Sequence, residues 1–348
     1  MVVVQKELCI GAVGAGRMGK VHINSLCKTR NVNLVAVCTV VEAEKQWIRE
    51  NVPNARIYDS FDEFVAQSDI DAIWISGSTH FHEEHLSKAL ANGKHVCCEK
   101  PLSHHKNIAW KMYEQSLKYP HLKAGCAFPR RFSKVYQEAR KAIAKGTIGD
   151  VIAVRSSSSD LYNPDREQLF KFLRTSGGIF LDMNAHDLDI SLFLAGKDSV
   201  PETAFAVGTR EVYPETAEWN DCDNACGIIR LSNGLVFNTY ASRDNRHGSH
   251  PTTEIVGTKG RIVVNPEPRG VNVDISTENG TTMVGAAEHW DFFEDGFARE
   301  VEAFRDWILY DSEDHAFSLK DAATAVSLAH NLTESFIKNS SVPVKLVD

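Results

Sequence analysis

Short apolar runs alternate with amphipathic stretches along the first third of the chain. Leu8–Val13, Val32–Cys38, 72–76, 94–98 and 123–126 are compact apolar runs of strand length, and a shorter one falls at 57–58. Helical spacing occupies the intervals: over 19–26, from Glu42 onward, near 61–66, over His82–Ala91 and over 107–117. Strands alternating with helices predict a parallel sheet with helices on both faces. The expectation is a doubly wound α/β domain over residues 1–126.

The pattern changes after Ala127. A helix is expected over 135–144, closed by the turn GTIGD at 146–150. Strand-like runs then dominate, at 151–156, 203–208, Asn224–Leu231, 235–242, 253–256, 261–264 and 271–275. Turn residues punctuate them, as at Asn233-Gly234 and at 257–260. This predicts a second α/β domain, residues 127–348, built on an open, mainly antiparallel sheet. Phe293, Phe297, Val301, Phe304 and Ile308 share one helical face, a stripe expected to cover one sheet or to pack back on the first domain. The tail at 342–347 is expected to return to the first domain. A sheet covered by helices on one face is expected to bury the other against a second subunit, giving a homodimer or a homotetramer.

Composition narrows the functional classes. Of 348 residues, 43% are hydrophobic and 24% charged, ordinary for a globular chain able to build its own cores. Lysine and arginine total 38 against 46 acids, and the net charge of −8 argues against a nucleic-acid or polybasic membrane partner. No apolar run approaches the roughly 18 residues of a membrane span. The opening MVVVQKELCIGAVGAG has no basic n-region or cleavage site, so a cytoplasmic address is expected. The 8 cysteines then read as reduced, mostly buried thiols. No metal is expected. Cys222 and Cys226 have no second Cys/His pair at zinc spacing, and nothing completes the H-x-H-x-x-H of His80, His82 and His85.

Candidate chemistry starts at Gly14-Ala15-Gly16-Arg17-Met18-Gly19, which follows a strand and opens a helix. The first glycine permits the tight turn, the second lets backbone amides approach a pyrophosphate, and the third allows close helix–strand packing. The helix N-terminus offers unpaired N–H groups to the phosphates. These six residues are the expected dinucleotide-binding loop, which makes 1–126 a dinucleotide-binding (Rossmann) domain. An acid about 20 residues further on normally takes the adenosine ribose and marks NAD. Here the second strand ends in Thr39, 23 residues after Gly16. A hydroxyl there removes a carboxylate that would repel a 2′-phosphate, and Lys45 or Arg17 can add positive charge. NADP is therefore expected over NAD, with Glu42 and Glu44 close enough to bind a ribose hydroxyl instead.

Two further motifs stand out. Glu99-Lys100-Pro101 follows a buried strand, at the sheet edge where open α/β sheets bind ligands. In Gly177-Gly178-Ile-Phe-Leu-Asp182-Met-Asn-Ala-His186, Asp182 and His186 are four apart and share a helical face. A carboxylate beside a histidine orients it as a general base requires, although such a pair is equally a structural one.

Taken together, VGAGRMG, GKHVCCEKPL, FPRRFSKVY at 128–136, the GTIGD turn, SGGIFLDMNAHDLD and the EIVGTKG hairpin resemble the glucose–fructose oxidoreductase/inositol dehydrogenase/rhizopine catabolism (Gfo/Idh/MocA) family over nearly the whole chain. Within it, the motifs look most like the inositol 2-dehydrogenase branch. The resemblance implies a nicotinamide-dependent enzyme that oxidises a secondary alcohol of a cyclic polyol or sugar. By carry-over, Lys100, Asp182 and His186 are catalytic and also touch substrate, and Arg130 contacts substrate hydroxyls. Ser76, His82, Glu99 and Lys100 join the glycine-rich loop and Thr39 around the cofactor. Two departures fall where substrate is expected. Arg246-His247-Gly248-Ser249-His250 replaces an aromatic-Gly-Tyr-Asp segment, and 157–160 lacks an arginine. Two other readings compete: a non-enzymatic dinucleotide sensor or regulator of the same fold, and a reductase of keto-sugars or other carbonyls.

Overall fold

The computed structural model describes residues 7–196, 200–278, 280–312 and 316–348. It contains two compact units: one runs through Phe132 and includes Asp295–Ala323, the other comprises Ser133–Glu294 and Thr324–Asp348.

The first unit alternates strands and helices as its sequence pattern dictates: β1 Leu8–Val13, α1 Arg17–Lys28, β2 Val32–Cys38, α2 Glu42–Asn51, β3 Arg56–Tyr58, α3 Phe61–Val65, β4 Ala72–Ile75, α4 His82–Ala91, β5 His95–Glu99, α5 Lys106–Leu117 and β6 Ala124–Ala127. The six strands lie in the order β3-β2-β1-β4-β5-β6, and every pairing is parallel. Order reverses beside β1, where the chain steps outward first to β2 and then to β4. Ligands of such sheets bind at the carboxyl ends of strands beside this reversal. The central strands are buried on both faces, with Ile10, Ala12, Ile73, Trp74, Cys97 and Cys98 almost wholly removed from water. That explains their near-continuous apolar runs.

The second unit opens with α6 Lys134–Ala144 and β7 Val151–Leu161, followed by α7 Arg166–Ser176, α8 Ile179–Asp182 and α9 Asn184–Ala195. Strands β8 Pro201–Thr209, β9 Asn224–Leu231, β10 Val236–Asn245, β11 His250–Gly257 and β12 Gly260–Val264 complete its main sheet, and β13 Arg269–Thr277 with β14 Gly280–Gly285 forms a separate hairpin. The chain ends with α10 Glu294–Tyr310, α11 Leu319–Lys338 and β15 Val342–Pro343. The order β12-β11-β7-β10-β9-β8-β15 is antiparallel apart from the β7–β10 pair. Alternation along each strand sends one set of side chains into the core beneath α9 and leaves the other set outside. Val154, Phe237, Ile229 and Ile255 are fully buried, whereas Arg155, Asn238 and Ile228 are exposed.

Three boundaries differ from expectation. The first unit extends six residues past 126 and reclaims Asp295–Ala323. The reason is the aromatic stripe of α10, whose Phe304 meets Trp74 of β4 edge-on at 5.7 Å and whose Phe297 meets His22 of α1 at 5.6 Å. The stripe therefore joins the core of the first unit rather than covering the second sheet. The tail belongs to the second unit. Val342 pairs with Ala204 on β8, otherwise an edge strand with unmatched backbone groups. Ser327 and Asn331 of α11 then hold the tail at Leu346 and Lys345.

Candidate functional site

The turn after β1 is built for close approach. Gly14 has φ +79, and a Cβ there would lie 2.8 Å from the backbone of Gly77. A Cβ on Gly19 would lie 2.4 Å from the Gly14 carbonyl oxygen, so α1 packs against the turn only because Gly19 has no side chain. Ser76, at the end of β4, donates its hydroxyl to the carbonyls of Val13 at 3.0 Å and Gly14 at 3.3 Å. These bonds hold the turn. Gly16 stands at the N-cap of α1 without a side-chain cap, and the first turn carries no acid. The amides and positive end of the helix thus face outward beside an exposed Arg17 and a half-buried Met18, while Ala15 is buried. This turn, which closes only because Gly14 and Gly19 carry no Cβ, together with the uncapped start of α1 fits a dinucleotide pyrophosphate.

Glu44 of α2 reaches back over the same turn. Its Oε2 accepts from the Ala15 amide at 2.8 Å and from the Thr39 hydroxyl at 2.6 Å, and its Oε1 lies 3.6 Å from where a Gly16 Cβ would stand. The structure gives Thr39 a partner within the fold. Its hydroxyl proton is committed to a carboxylate, and Lys45 is engaged by Asp59 at 2.6 Å and Glu42 at 3.7 Å. The surroundings of Thr39 are acidic where a 2′-phosphate would need positive charge. The acid lies past the strand end, on the first turn of the next helix, one of the two carboxylates that the sequence offered as the alternative ribose ligand.

At the carboxyl end of β5, Glu99 is buried between two neighbours. Its Oε1 sits 2.5 Å from His22 Nε2, and its Oε2 accepts from the Lys100 amide at 2.8 Å. Burial alone would raise the Glu99 carboxyl, but the His22 hydrogen bond and the charges of His22 and Lys100 outweigh it and hold the pKa low. Glu99 is thus a bracket for the half-buried Lys100, whose peptide to Pro101 is cis. His82 is 1% exposed, and its ring nitrogens face the carbonyls of Pro101 at 3.1 Å and Gly77 at 3.2 Å. Burial pushes this imidazole below its ordinary pKa despite those acceptors. Both residues were expected at the cofactor. Within the fold His82 braces the loop after β4 against the segment after β5, and Glu99 joins α1 to the end of β5, because burial makes their polar atoms find partners there. The neighbouring histidines diverge: His85 stacks on Phe61 with burial pushing it down to about 4, and His80 lies beside Ser78. Arg130 is buried in the short turn Pro129–Arg131 after β6. Its neighbour Arg131 ties that turn to Asp321 at 3.0 Å and to the Ala316 carbonyl.

In the second unit, Asp182 closes α8 and His186 stands in the first turn of α9. The expected single helix is broken at Met183, where the His186 amide turns to the Met183 carbonyl at 3.2 Å. The Asp182 carboxylate accepts from Arg243 of β10 at 3.0 Å, and the arginine is 5% exposed. Burial works against the charge of Arg243, but Asp182 and Asp221 outweigh it and its pKa is raised. No local signal links residues 61 apart, so nothing along the chain singles out Arg243. One turn on, Asp187 is fully buried and takes the hydroxyls of Ser156 and Ser158 at 2.8 Å each, with Asn184 at 3.0 Å. The serine run of β7 therefore divides by strand parity, two toward α9 and two away.

Comparison with known proteins places these features. Residues 8–118 match the family described as "Oxidoreductase family, NAD-binding Rossmann fold", and 136–263 match "GFO/IDH/MocA C-terminal domain". The chain is 29% identical to myo-inositol 2-dehydrogenase of Thermotoga maritima, over 97% of this chain and 99% of that one. It is likewise 29% identical to inositol 2-dehydrogenase of Rhizobium meliloti, over 96% and 98%. The structure of scyllo-inositol dehydrogenase from Lactobacillus casei with bound NAD(H) and scyllo-inositol superposes with a TM-score of 0.91, at 30% identity, over 97% of this chain and 99% of that one. With a glycine cradle at the sheet's reversal point and both domain signatures in sequence, the chain belongs to the Gfo/Idh/MocA family of NAD-binding oxidoreductases.

Proposed function

We propose that this enzyme oxidises a secondary alcohol of a cyclic polyol, with inositol the first substrate to try and NAD rather than NADP as its cofactor. The observation that carries the reading is the retention of Lys100, Asp182 and His186 in a chain that matches inositol dehydrogenases end to end. The bound dinucleotide supplies the hydride acceptor. His186 takes the hydroxyl proton as the carbinol hydride departs, so its neutral form is required. Asp182, ionised against Arg243, orients the imidazole and stabilises the imidazolium that forms. Lys100 hydrogen-bonds the reacting oxygen or the cofactor ribose, and Arg130 contacts substrate hydroxyls. The carboxylate of Glu44 beside Thr39 favours NAD, because a 2′-phosphate brought there would meet like charge.

A panel of inositol isomers, other cyclic polyols and sugars with NAD, together with keto-sugars and NADH, tests this reading by absorbance of the reduced nicotinamide. Turnover of at least one cyclic polyol is expected. The His247 and Ser249 departures make an isomer other than myo-inositol a substrate of equal standing. Nucleotide binding without turnover across the panel moves the reading to a dinucleotide sensor.

The uncovered face of the second sheet supports a homodimer or a dimer of dimers. Strand register aligns Phe205, Ile228, Asn238, Arg155, Glu254 and Val263 in one row across it. A shallow hollow of about 420 Å³ opens among Arg155, Tyr240, Glu254 and Arg261. The exposed apolar side chains Phe205, Ile228, Tyr240 and Val263 on this face support a surface for another protein, and a second copy meets it by two-fold symmetry. Sedimentation at micromolar protein is expected to give a multiple of the 38.7 kDa chain, and Ile228→Glu to shift it toward monomer. A single monomeric species for the unaltered chain overturns the assignment.

A further inference from the structure

We infer that His22, backed by Glu300, is a positioning residue for Lys100: from α1 it fixes the Glu99 carboxylate that holds the Lys100 amide at the end of β5. The inference rests on the role proposed above for Lys100.

Three elements of the first unit meet at this point. His22 stands on α1 three residues after Gly19, Glu99 ends β5, and Glu300 lies on α10. His22 and Glu300 are fully buried, and Glu99 nearly so. His22 Nε2 lies 2.5 Å from Glu99 Oε1, and Glu99 Oε2 accepts from the Lys100 amide at 2.8 Å. Against burial, the His22 hydrogen bond and the charges of His22 and Lys100 hold the Glu99 pKa low, so the lysine and the carboxylate also act on each other. An ionised carboxylate only accepts, so the imidazole donates from Nε2. Behind the ring, Nδ1 faces Glu300 Oε2 at 4.0 Å. Trp74 at 5.0 Å and Phe297 at 5.6 Å flank the ring, and Phe297 shares a face of α10 with Glu300, three residues on. Burial pushes the Cys97 thiol of β5 well up and the charge of Glu300 adds to it, which sets that carboxylate beside the strand.

Withdrawing an imidazole and two carboxyl groups from water costs stability, and apolar side chains of similar volume would hold α1 and α10 to the sheet at lower cost. What the polar cluster supplies is direction. With Oε1 on His22 and Oε2 on the Lys100 amide, the Glu99 carboxylate keeps one orientation. The backbone at Lys100 is thereby referenced to α1, the helix that the glycine turn opens. With Oε1 released, the carboxylate can rotate on its stem and leave the amide. Displacing a reacting group by about 1 Å can cost some 10²-fold in rate, so a directed brace at Lys100 bears on turnover.

The test follows amide hydrogen exchange by NMR in deuterated protein carrying labelled lysine, with NADH bound, the Lys100 resonance being assigned by its loss in Lys100→Arg. In His22→Leu the Lys100 amide is expected to exchange about 10- to 100-fold faster, the loss of a hydrogen bond to a charged group. The Lys94 and Lys123 amides, bonded to the Ala89 carbonyl and the His95 ring, should keep their native rates. On a polyol that the native enzyme turns over, kcat should fall about 10-fold or more. His22→Gln, whose side-chain nitrogen can stand where Nε2 does, should restore both readouts. Glu300→Gln, which keeps the shape and loses the charge behind the ring, should fall between. Thermal melting and NADH titration check folding, and His22→Asn, too short to reach Glu99, serves if the leucine variant does not fold. Native Lys100 exchange in His22→Leu, a His22→Gln variant as impaired as His22→Leu, or native behaviour in Glu300→Gln overturns the inference. Native kcat in His22→Leu beside a severe loss in Lys100→Ala overturns it as well. Exchange as expected, in an enzyme whose Lys100→Ala variant keeps full turnover, overturns the catalytic role of Lys100 instead and leaves its positioning by His22 standing.

Discussion

Replacing His186 by alanine is expected to lower turnover by roughly 10²–10⁴ while leaving NADH binding nearly unchanged, the range for losing a positioned general base. The proton must leave the substrate hydroxyl as hydride transfers, and no other group is proposed to receive it. Steady-state rates and a fluorescence titration of NADH separate the two effects. Oxidation by the unaltered enzyme should rise with pH to an alkaline plateau, since only neutral imidazole accepts a proton. In His186→Ala that rise should disappear. Asp182→Asn should be intermediate, because it keeps the shape and loses the charge that Arg243 holds in place. Lys100→Ala should also be severe but should weaken cofactor binding as well, since Lys100 stands at the end of β5 on the edge where the dinucleotide binds. Near-native turnover in His186→Ala places the base elsewhere.

Glu44→Gln is expected to weaken NADH binding by about 10- to 100-fold, the loss of a hydrogen bond between a charged acceptor and a ribose hydroxyl. NADPH binding should hold or improve, because the charge opposing a 2′-phosphate is gone. The reasoning runs through one side chain. Glu44 Oε2 is saturated by the Ala15 amide and the Thr39 hydroxyl, which fixes the carboxylate over the glycine turn and directs Oε1 past Gly16. A carboxylate held by two donors at the mouth of the loop does what an acid at the end of β2 does elsewhere in this fold. Parallel fluorescence titrations with NADH and NADPH decide the matter. Tighter NADPH binding by the unaltered protein, or a Glu44→Gln variant with native preference, restores Thr39 as a phosphate ligand.

The parallel sheet was legible from sequence because its central strands are buried on both faces and so read as unbroken apolar runs. Gly14 and Gly19 were legible because the fold tolerates no Cβ at either position. The alternation in β9 and β10 likewise announced a sheet with one face inside and one outside. Each of these signals is local: a period, a turn, or a residue whose absence of side chain the backbone demands. The motifs around Lys100 and His186 were recognisable for the same reason.

Tertiary structure decided what depends on partners distant in the chain. Whether Thr39 met a phosphate or a carboxylate turned on where α2 directed Glu44. His82 and Glu99 have partners at Gly77, Pro101, His22 and the Lys100 amide because burial obliged their polar atoms to find acceptors and donors within the fold. Arg243 reached Asp182 across 61 residues, with no spacing to announce it. The α10 stripe carried the same apolar face whichever core it joined, and contact with Trp74 and His22 settled the choice. Hydrophobic period fixes an element and its buried face. It does not say which surface that face will meet, or which charge will stand opposite a given hydroxyl, because those are set by the packing of elements that the chain order leaves far apart.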